Sequence, residues 1–272
     1  MRKSFGSPHP GPFASSAPAL ASCNRRLALH SGGVTQTTRR KTGSQSMSRA
    51  RIGRDVAARL EANPFIKKAK VDVAQIYYFP DYLNDAECDM LVERIDANRR
   101  PSTLLATHDD PDFRTSDSCD LDRWAPEIRA IDERLAHLLG IPPEHGETMQ
   151  GQRYAVGQQF RAHCDYFHET EAYWQDMVDQ GGQRTWTAMI YLNEVDEGGA
   201  TWFPRAGIRV APRKGLLLMW NNMLPDGSPN YDTLHEGMAV LEGTKYIITK
   251  WFRENAWIRT AVPTYTSPGR DS

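Results

Sequence analysis

The segment AHCDYF, at residues 162–167, places His163 and Asp165 two positions apart. In an extended chain, residues i and i+2 project from the same face, so an imidazole and a carboxylate at this spacing can converge on one point. A third candidate ligand is His235, which lies 72 residues further along in TLHEG. Two histidines and one carboxylate form the facial triad that binds Fe(II) and leaves coordination positions open. The alternative is that both histidines are ordinary polar residues near strand ends.

A lysine further along the chain adds a second candidate feature. If TKYIITKWF forms a strand, Lys245, Ile247, Thr249 and Trp251 share one face. A buried ammonium on an inward face is costly unless it meets an anion. Lys245 is therefore predicted to bind a carboxylate, unless it lies at the surface at the start of its strand.

The residues that could do chemistry must be positioned by the elements around them. The Asn84 and Glu87 pair resembles a capping box and predicts an amphipathic helix over residues 84–98, and helical spacing recurs over residues 128–138 before Gly140. Short β-rich runs separated by Gly and Pro follow at residues 149–156, 185–193, 201–203, 215–220, 238–241 and 244–253. This pattern predicts two helices ahead of a β-sandwich or barrel.

Residues 1–46 have a different composition from the rest of the chain. They are rich in Ser, Gly, Pro, Ala, Thr and Arg and have no hydrophobic period, so they are predicted to be disordered. Three interpretations remain open: an organelle transit peptide, a solvated tail, or an upstream extension that is not translated, with Met47 as the natural start. From Asp55 onward the chain is predicted to be folded.

Composition excludes several classes of protein. Ten of the 33 Lys and Arg residues lie in residues 1–54, which contain no Asp or Glu, so the remainder carries 23 basic and 34 acidic residues. That acidic surplus argues against nucleic-acid binding. The longest apolar run is too short to span a membrane, and the four cysteines lack CxxC spacing, which favours a reducing compartment. We expect a soluble, cytoplasmic protein, although organelle targeting by residues 1–46 is not excluded.

The stretch from Gln75 to Arg253 resembles the prolyl 4-hydroxylase branch of the 2-oxoglutarate- and Fe(II)-dependent dioxygenases, and five segments carry the resemblance. They are YAVGQQFRAHCDYF, TAMIYLNEVDEGGATWFP, RKGLLLMWNN, DGSP and TLHEGMAVLEGTKYIITKWFRE, in that order. The resemblance implies an α+β protein with a double-stranded β-helix, or jelly-roll, core and supporting N-terminal helices. The domain is expected at residues 47–272, with its core at about 148–255, after the tail at residues 1–46.

The resemblance also implies roles for individual residues. His163, Asp165 and His235 would ligate iron, and Lys245, ten residues after His235, would pair with the distal carboxylate of 2-oxoglutarate. A carboxylate at Asp165 favours hydroxylation, because related halogenating enzymes have a small residue at that position.

Other positions are implied less directly. Tyr154 and Tyr191 match positions that line the co-substrate pocket, although both could equally be core aromatics. FRTSDSCDL, at residues 113–121, resembles a segment beside the peptide-substrate groove. It makes Arg114 a candidate substrate residue, unless Arg114 only bridges backbone carbonyls. Trp251, on the same strand face as Lys245, is a second candidate on the substrate side.

The function implied is hydroxylation of a peptidyl proline, with Fe(II), 2-oxoglutarate, O2 and ascorbate as cofactors and co-substrates. The expected partner is a proline-containing peptide or protein, with no nucleic acid and no membrane involved. Two alternatives remain: a hydroxylase of a free amino acid or small metabolite, and a non-catalytic binding module on the same fold. One fold can host many activities, so fold alone does not separate them.

Overall fold

A computed structural model describes residues 43–104 and 110–257. Three of its α-helices precede the β-rich region, and the fourth lies in a loop within that region. Their bounds are α1 at Met47–Glu61, α2 at Asp85–Asn98, α3 at Pro126–Leu139 and α4 at Trp174–Asp179.

The helix boundaries follow from local capping. The capping box predicted for α2 is confirmed: the Asn84 side chain accepts from the Glu87 backbone N–H, and the Glu87 side chain accepts from the Asn84 backbone N–H. Helix α3 ends where Gly140 takes a left-handed conformation, with φ of 69°. Helix α1 was not predicted, and its presence shows that ordered structure begins before Asp55. Its N-cap is Ser46, whose Oγ accepts from the Arg49 backbone N–H.

The strands form two main sheets with antiparallel ladders. Their bounds are β1 Lys67–Lys68, β2 Ile76–Phe79, β3 Arg100–Pro101, β4 Asp117–Asp120, β5 Gln150–Tyr154, β6 Phe160–His163, β7 Arg184–Tyr191, β8 Glu197–Gly198, β9 Thr201–Phe203, β10 Ile208–Val210, β11 Leu217–Asn221, β12 His235–Gly237, β13 Val240–Glu242 and β14 Lys245–Arg253. Within the described residues, the major sheet has the order β1-β2-β11-β7-β14-β5-β4-β3 and the minor sheet the order β10-β9-β12-β6. Strands β8 and β13 form a separate pair. The predicted α+β architecture with a two-sheet β core is confirmed.

Alternation along the central strands separates two apolar cores. On β7, Trp186, Ala188 and Ile190 pack with residues of α1, α2 and α3. On the opposite face of β7, Met189 and Tyr191 pack between the two sheets with residues such as Phe203 and Trp220. The helices therefore cover the outer face of the major sheet, and its inner face is left to build the site.

Residues just before α1 contact the rest of the domain. The Ser44 backbone N–H and hydroxyl both donate to Glu169 Oε2, at 2.7 Å each, and Ser46 Oγ donates to Glu254. Arg49, which is buried, pairs with the same Glu169 at 2.6 Å. The last residues of the predicted tail are thus attached to the domain, and residues 1–42 lie outside the described ranges. None of the described helices has the length and apolar character needed to cross a bilayer.

Candidate active site

His163 and His235 are brought together by strand register. Strands β6 and β12 pair antiparallel in the minor sheet, and His235 lies directly opposite His163. The sequence predicts that His163 and Asp165 share one face of a single strand. In the structure β6 ends at His163, and Asp165 lies two residues beyond that end. The carboxylate nevertheless reaches both rings: Nε2 of His163 is 3.8 Å from Oδ1, and Nε2 of His235 is 3.9 Å from Oδ2.

Backbone carbonyls orient both imidazoles. Nδ1 of His163 lies 2.8 Å from the carbonyl oxygen of Arg161, and Nδ1 of His235 lies 2.9 Å from that of Thr233. A carbonyl oxygen can only accept, so each Nδ1 is the donor, and Nε2 is the nitrogen that a neutral ring would offer to a metal. One potential ligand atom from each of His163, Asp165 and His235 lies within 4.8 Å of the others. This arrangement fits a divalent metal bound by two neutral imidazoles and one carboxylate.

Asp165 is oriented from behind by residues that were not predicted. Thr187 Oγ1 donates to Asp165 Oδ2 at 2.7 Å, and Asn222 Nδ2 donates to Thr187 Oγ1 at 2.9 Å. Burial opposes ionisation of Asp165, but His235, His163, Arg184 and the Thr187 hydroxyl outweigh it and hold its pKa below the ordinary value. The carboxylate is therefore ionised and able to bind a cation at neutral pH.

Aromatic rings pack against the two histidines. Phe160 stacks on His163 with 3.6 Å between ring centroids and 16° between planes. Trp220 and Phe203 pack against His235 at 4.8 and 5.3 Å. Burial, followed by the neighbouring His235, lowers the pKa of His163 to about 3, so this imidazole is neutral at physiological pH.

Lys245 lies in a narrow chamber beside the triad. Its side chain is 1% exposed, and the chamber wall also includes His163, Asp165 and His235. Burial lowers the pKa of Lys245 to about 7, and no described carboxylate compensates it. The other inward residues of β14, Ile247, Thr249 and Trp251, line the same chamber. The predicted strand face is confirmed, and its buried ammonium fits an anionic ligand next to the metal position.

The two predicted tyrosines differ in position. Tyr154 lines the chamber and is paired in register with Lys245, and its ring centroid lies 5.0 Å from Lys245 Nζ. Tyr191 lies behind the wall: its hydroxyl donates to Thr201 Oγ1 at 2.6 Å, and Thr201 lines the chamber. The Tyr191 ring centroid still lies 5.6 Å from Lys245 Nζ, so its role in the co-substrate pocket remains a prediction.

Sequence comparison decides the family. The family model described as "2OG-Fe(II) oxygenase superfamily" matches residues 149–253. Probable prolyl 4-hydroxylase 10 of Arabidopsis thaliana is 33% identical over 204 residues, which cover 66% of this chain and 68% of that protein. Prolyl 4-hydroxylase 2 of the same plant is 31% identical over 222 residues, which cover 72% of each chain.

The chain belongs to the prolyl 4-hydroxylase family of 2-oxoglutarate- and Fe(II)-dependent oxygenases. Solved structures agree in fold. A viral collagen prolyl hydroxylase from Paramecium Bursaria Chlorella virus-1, in its 2OG complex, superposes with a TM-score of 0.52 at 24% identity, covering 71% of this chain and 98% of that one. The jelly-roll core predicted for this family member is therefore confirmed.

An open cleft of about 720 Å³ adjoins the chamber of this 2-oxoglutarate oxygenase. Two candidate metal ligands, His163 and Asp165, line both spaces, and so do Phe160 and Trp251. These four residues form the boundary between the chamber and the cleft. A substrate in the cleft would therefore lie directly beside the metal position.

Arg114 lines the cleft and is also held by neutral acceptors. Its guanidinium donates to the Thr103 carbonyl at 3.1 Å and to Gln150 Oε1 at 2.7 Å, and it lies 4.8 Å from the Phe160 ring centroid. Arg114 thus bonds to a backbone carbonyl, as the structural alternative expects, and it also lines the cleft, where a role in substrate binding remains a prediction. Burial lowers the pKa of Arg114.

Sequence analysis missed a charged group beneath Trp251. The guanidinium of Arg184 lies 4.0 Å from the Trp251 ring centroid, and two of its nitrogens donate to Glu147, at 2.7 Å each. Arg253 donates to the same Glu147 carboxylate. Arg184 begins β7 and Glu147 lies before β5, so no local spacing could have signalled this pair; its members meet only through the sheet.

Proposed function

We propose that this protein hydroxylates proline residues within peptides. In this proposal His163, Asp165 and His235 hold Fe(II), and Lys245 pairs with the distal carboxylate of 2-oxoglutarate. The observation that carries the proposal is a buried lysine without a described carboxylate partner, in a chamber whose wall contains two oriented imidazoles and an ionised carboxylate.

The protein's own residues would hold the metal, the co-substrate and the substrate in position. Bound Fe(II) and 2-oxoglutarate supply the oxidising chemistry, in which O2 is consumed and 2-oxoglutarate is converted to succinate and CO2 as the substrate is hydroxylated. The Arg161 and Thr233 carbonyls fix the two imidazoles, and Thr187 fixes the Asp165 carboxylate. Phe160 and Trp251 lie where the chamber meets the cleft, so a substrate held there would cover the metal position and exclude water from it.

The shape of the cleft favours a peptide over a free amino acid. The space is open and about 720 Å³ in volume, much more than a single proline would fill. Aromatic rings line it, and extended proline-rich segments dock in aromatic-lined grooves because their conformation is already ordered before binding. These rings belong to Phe113, Phe160, Tyr166, Phe167, Tyr173, Trp251 and Trp257.

The residues of the chamber also favour an enzyme over a non-catalytic binding module. A binding module on this fold would have no need for two imidazoles with free Nε2 atoms, an ionised Asp165 and a buried Lys245 in one chamber. Ascorbate as a reductant, the absence of a nucleic-acid partner, cytoplasmic location and the role of residues 1–46 remain predictions from the sequence.

The proposal is tested by comparing substrates of increasing size. The Fe(II)-loaded protein should convert 2-oxoglutarate to succinate with proline-containing peptides, and each succinate should be matched by one hydroxylated peptide. Matched peptides with alanine in place of proline should remain unmodified. Efficient hydroxylation of free proline, with no gain in kcat/KM for any peptide, would support the small-metabolite alternative instead.

A further inference from the structure

A second aromatic surface adjoins one end of the cleft. Trp257 lines the cleft, and the guanidinium of Arg123 lies 5.9 Å from its ring centroid. The same guanidinium lies 5.8 Å from the ring centroid of Trp124, whose side chain is 70% exposed. We call Trp124, Arg123 and Trp257 the tryptophan ledge. It continues the lining of the cleft onto the outer surface.

The ledge is fixed in place by its backbone and by Arg123. The Trp124 backbone N–H donates to Asp122 Oδ1 at 3.0 Å, and the Trp257 backbone N–H donates to the Glu144 carbonyl at 2.8 Å. Arg123 donates to the Gly146 carbonyl and pairs with the buried Asp132, at 3.3 Å each. Because two polar anchors hold the guanidinium, both indoles lie near a cation whose position is fixed.

The charge of Arg123 is partly offset within the domain, which bears on the partner of the ledge. Asp132 pairs with Arg123 and is shared with Lys250, and the group that the ledge exposes most is the Trp124 indole, at 70%. An exposed tryptophan offers a large flat apolar surface, and tryptophan is enriched among the residues that dominate binding energy. A segment of proline rings matches this surface better than an acidic segment does.

We propose that the tryptophan ledge binds a proline-rich stretch that flanks the hydroxylated proline in the same substrate peptide. This inference rests on the proposed function. Since one guanidinium lies within 6 Å of both ring centroids, the indoles are at most about 12 Å apart, which is about four residues of a polyproline II helix at 3.1 Å per residue. The ledge thus extends specificity beyond the residues beside the iron.

The experiment compares peptides with and without the flank. A short peptide that fills only the cleft is compared with peptides extended by about four prolines on the amino side or on the carboxyl side. Extended peptides with alanines in the flank serve as controls of equal length. The variants are Trp124→Ala, Trp124→Phe and, as a matched control, Trp202→Ala; Trp202 is 38% exposed on β9 and does not line the cleft.

One proline-extended peptide should have a lower KM than the short peptide with the unaltered protein. Trp124→Ala should raise that KM by about five- to thirtyfold, with kcat and the KM of the short peptide unchanged. Trp124→Phe should retain part of the effect, and Trp202→Ala should have none. Because Trp124 is exposed, melting temperature should stay constant across the variants.

The contrary results separate the two levels of inference. If the short peptide is hydroxylated normally but Trp124→Ala changes no KM, or if the alanine flank binds as well as the proline flank, the ledge does not bind a proline-rich segment. If the unaltered protein binds Fe(II) and 2-oxoglutarate yet hydroxylates no peptide, the proposed function fails and the role of the ledge fails with it.

Discussion

Lys245 should make 2-oxoglutarate binding depend on pH. Burial lowers its pKa in the free protein to about 7, whereas a distal carboxylate beside it would favour the charged ammonium and raise the pKa on binding. Binding therefore requires the protonated form, which predominates below pH 7 and is lost as pH rises through the pKa of about 7. Above that point the dissociation constant should increase by about tenfold per pH unit. His163 remains neutral in this range, since its pKa lies at about 3.

Substitutions at Lys245 give the second half of this prediction. Removing one partner of a buried ion pair costs about 3 to 5 kcal/mol, so Lys245→Met should weaken 2-oxoglutarate binding by roughly two to three orders of magnitude or more, and should abolish the pH dependence. Lys245→Arg should restore part of the affinity and also give a flat profile, because a guanidinium stays protonated. Lys214→Met, at a partly exposed lysine paired with Asp89, is the control.

The assay is a titration of 2-oxoglutarate into the Fe(II)-loaded protein without O2, followed by the metal-to-ligand absorption band from about pH 6 to about pH 9. Fe(II) affinity should change little in either Lys245 variant, because Lys245 is not among the three candidate ligands. A dissociation constant that stays constant with pH in the unaltered protein, or that Lys245→Met leaves unchanged, would refute the reasoning.

Three further predictions concern the surroundings of the site. Phe160→Leu removes the ring stacked on His163 and should weaken Fe(II) binding about three- to tenfold in anaerobic titrations, whereas Phe113→Leu, a cleft residue that contacts Phe160, should not. Thr187→Val removes the hydroxyl donor to the carboxylate ligand and should weaken Fe(II) binding by about ten- to a hundredfold; unchanged affinity would exclude an orienting role. A chain starting at Met47 lacks the N-cap of α1 and should be about 1 kcal/mol less stable to denaturant than one starting at Gly43; equal midpoints would make the preceding contacts irrelevant.

Local patterns were sufficient to predict the features that depend on neighbouring residues. The alternation of β14 places Lys245 and Trp251 on the inner face, and the capping box starts α2 at the expected residue. These features depend on pleat geometry and on a single helical turn, both of which can be inferred from a few consecutive residues.

Other features depend on register between distant segments. His235 is opposite His163 only because β12 pairs with β6, and Thr187 reaches Asp165 from another sheet. Spacing alone could not rank His235 above other histidines, and resemblance to a family was needed to select it. Likewise, the sequence leaves Tyr191 open between the co-substrate pocket and core packing, and the contacts that bear on this choice, to Thr201 and Lys245, come from other strands.

The most direct test of the central claim is turnover with isotopically labelled O2 and a proline-containing peptide, comparing the unaltered protein with Asp165→Ala. A hydroxylase whose iron is held by His163, Asp165 and His235 should place one labelled oxygen atom in succinate and one in the peptide, in equal amounts. The variant should form neither product, because a facial triad has no spare ligand. Full activity in Asp165→Ala, or labelled succinate from the unaltered protein without a labelled peptide, would contradict the account.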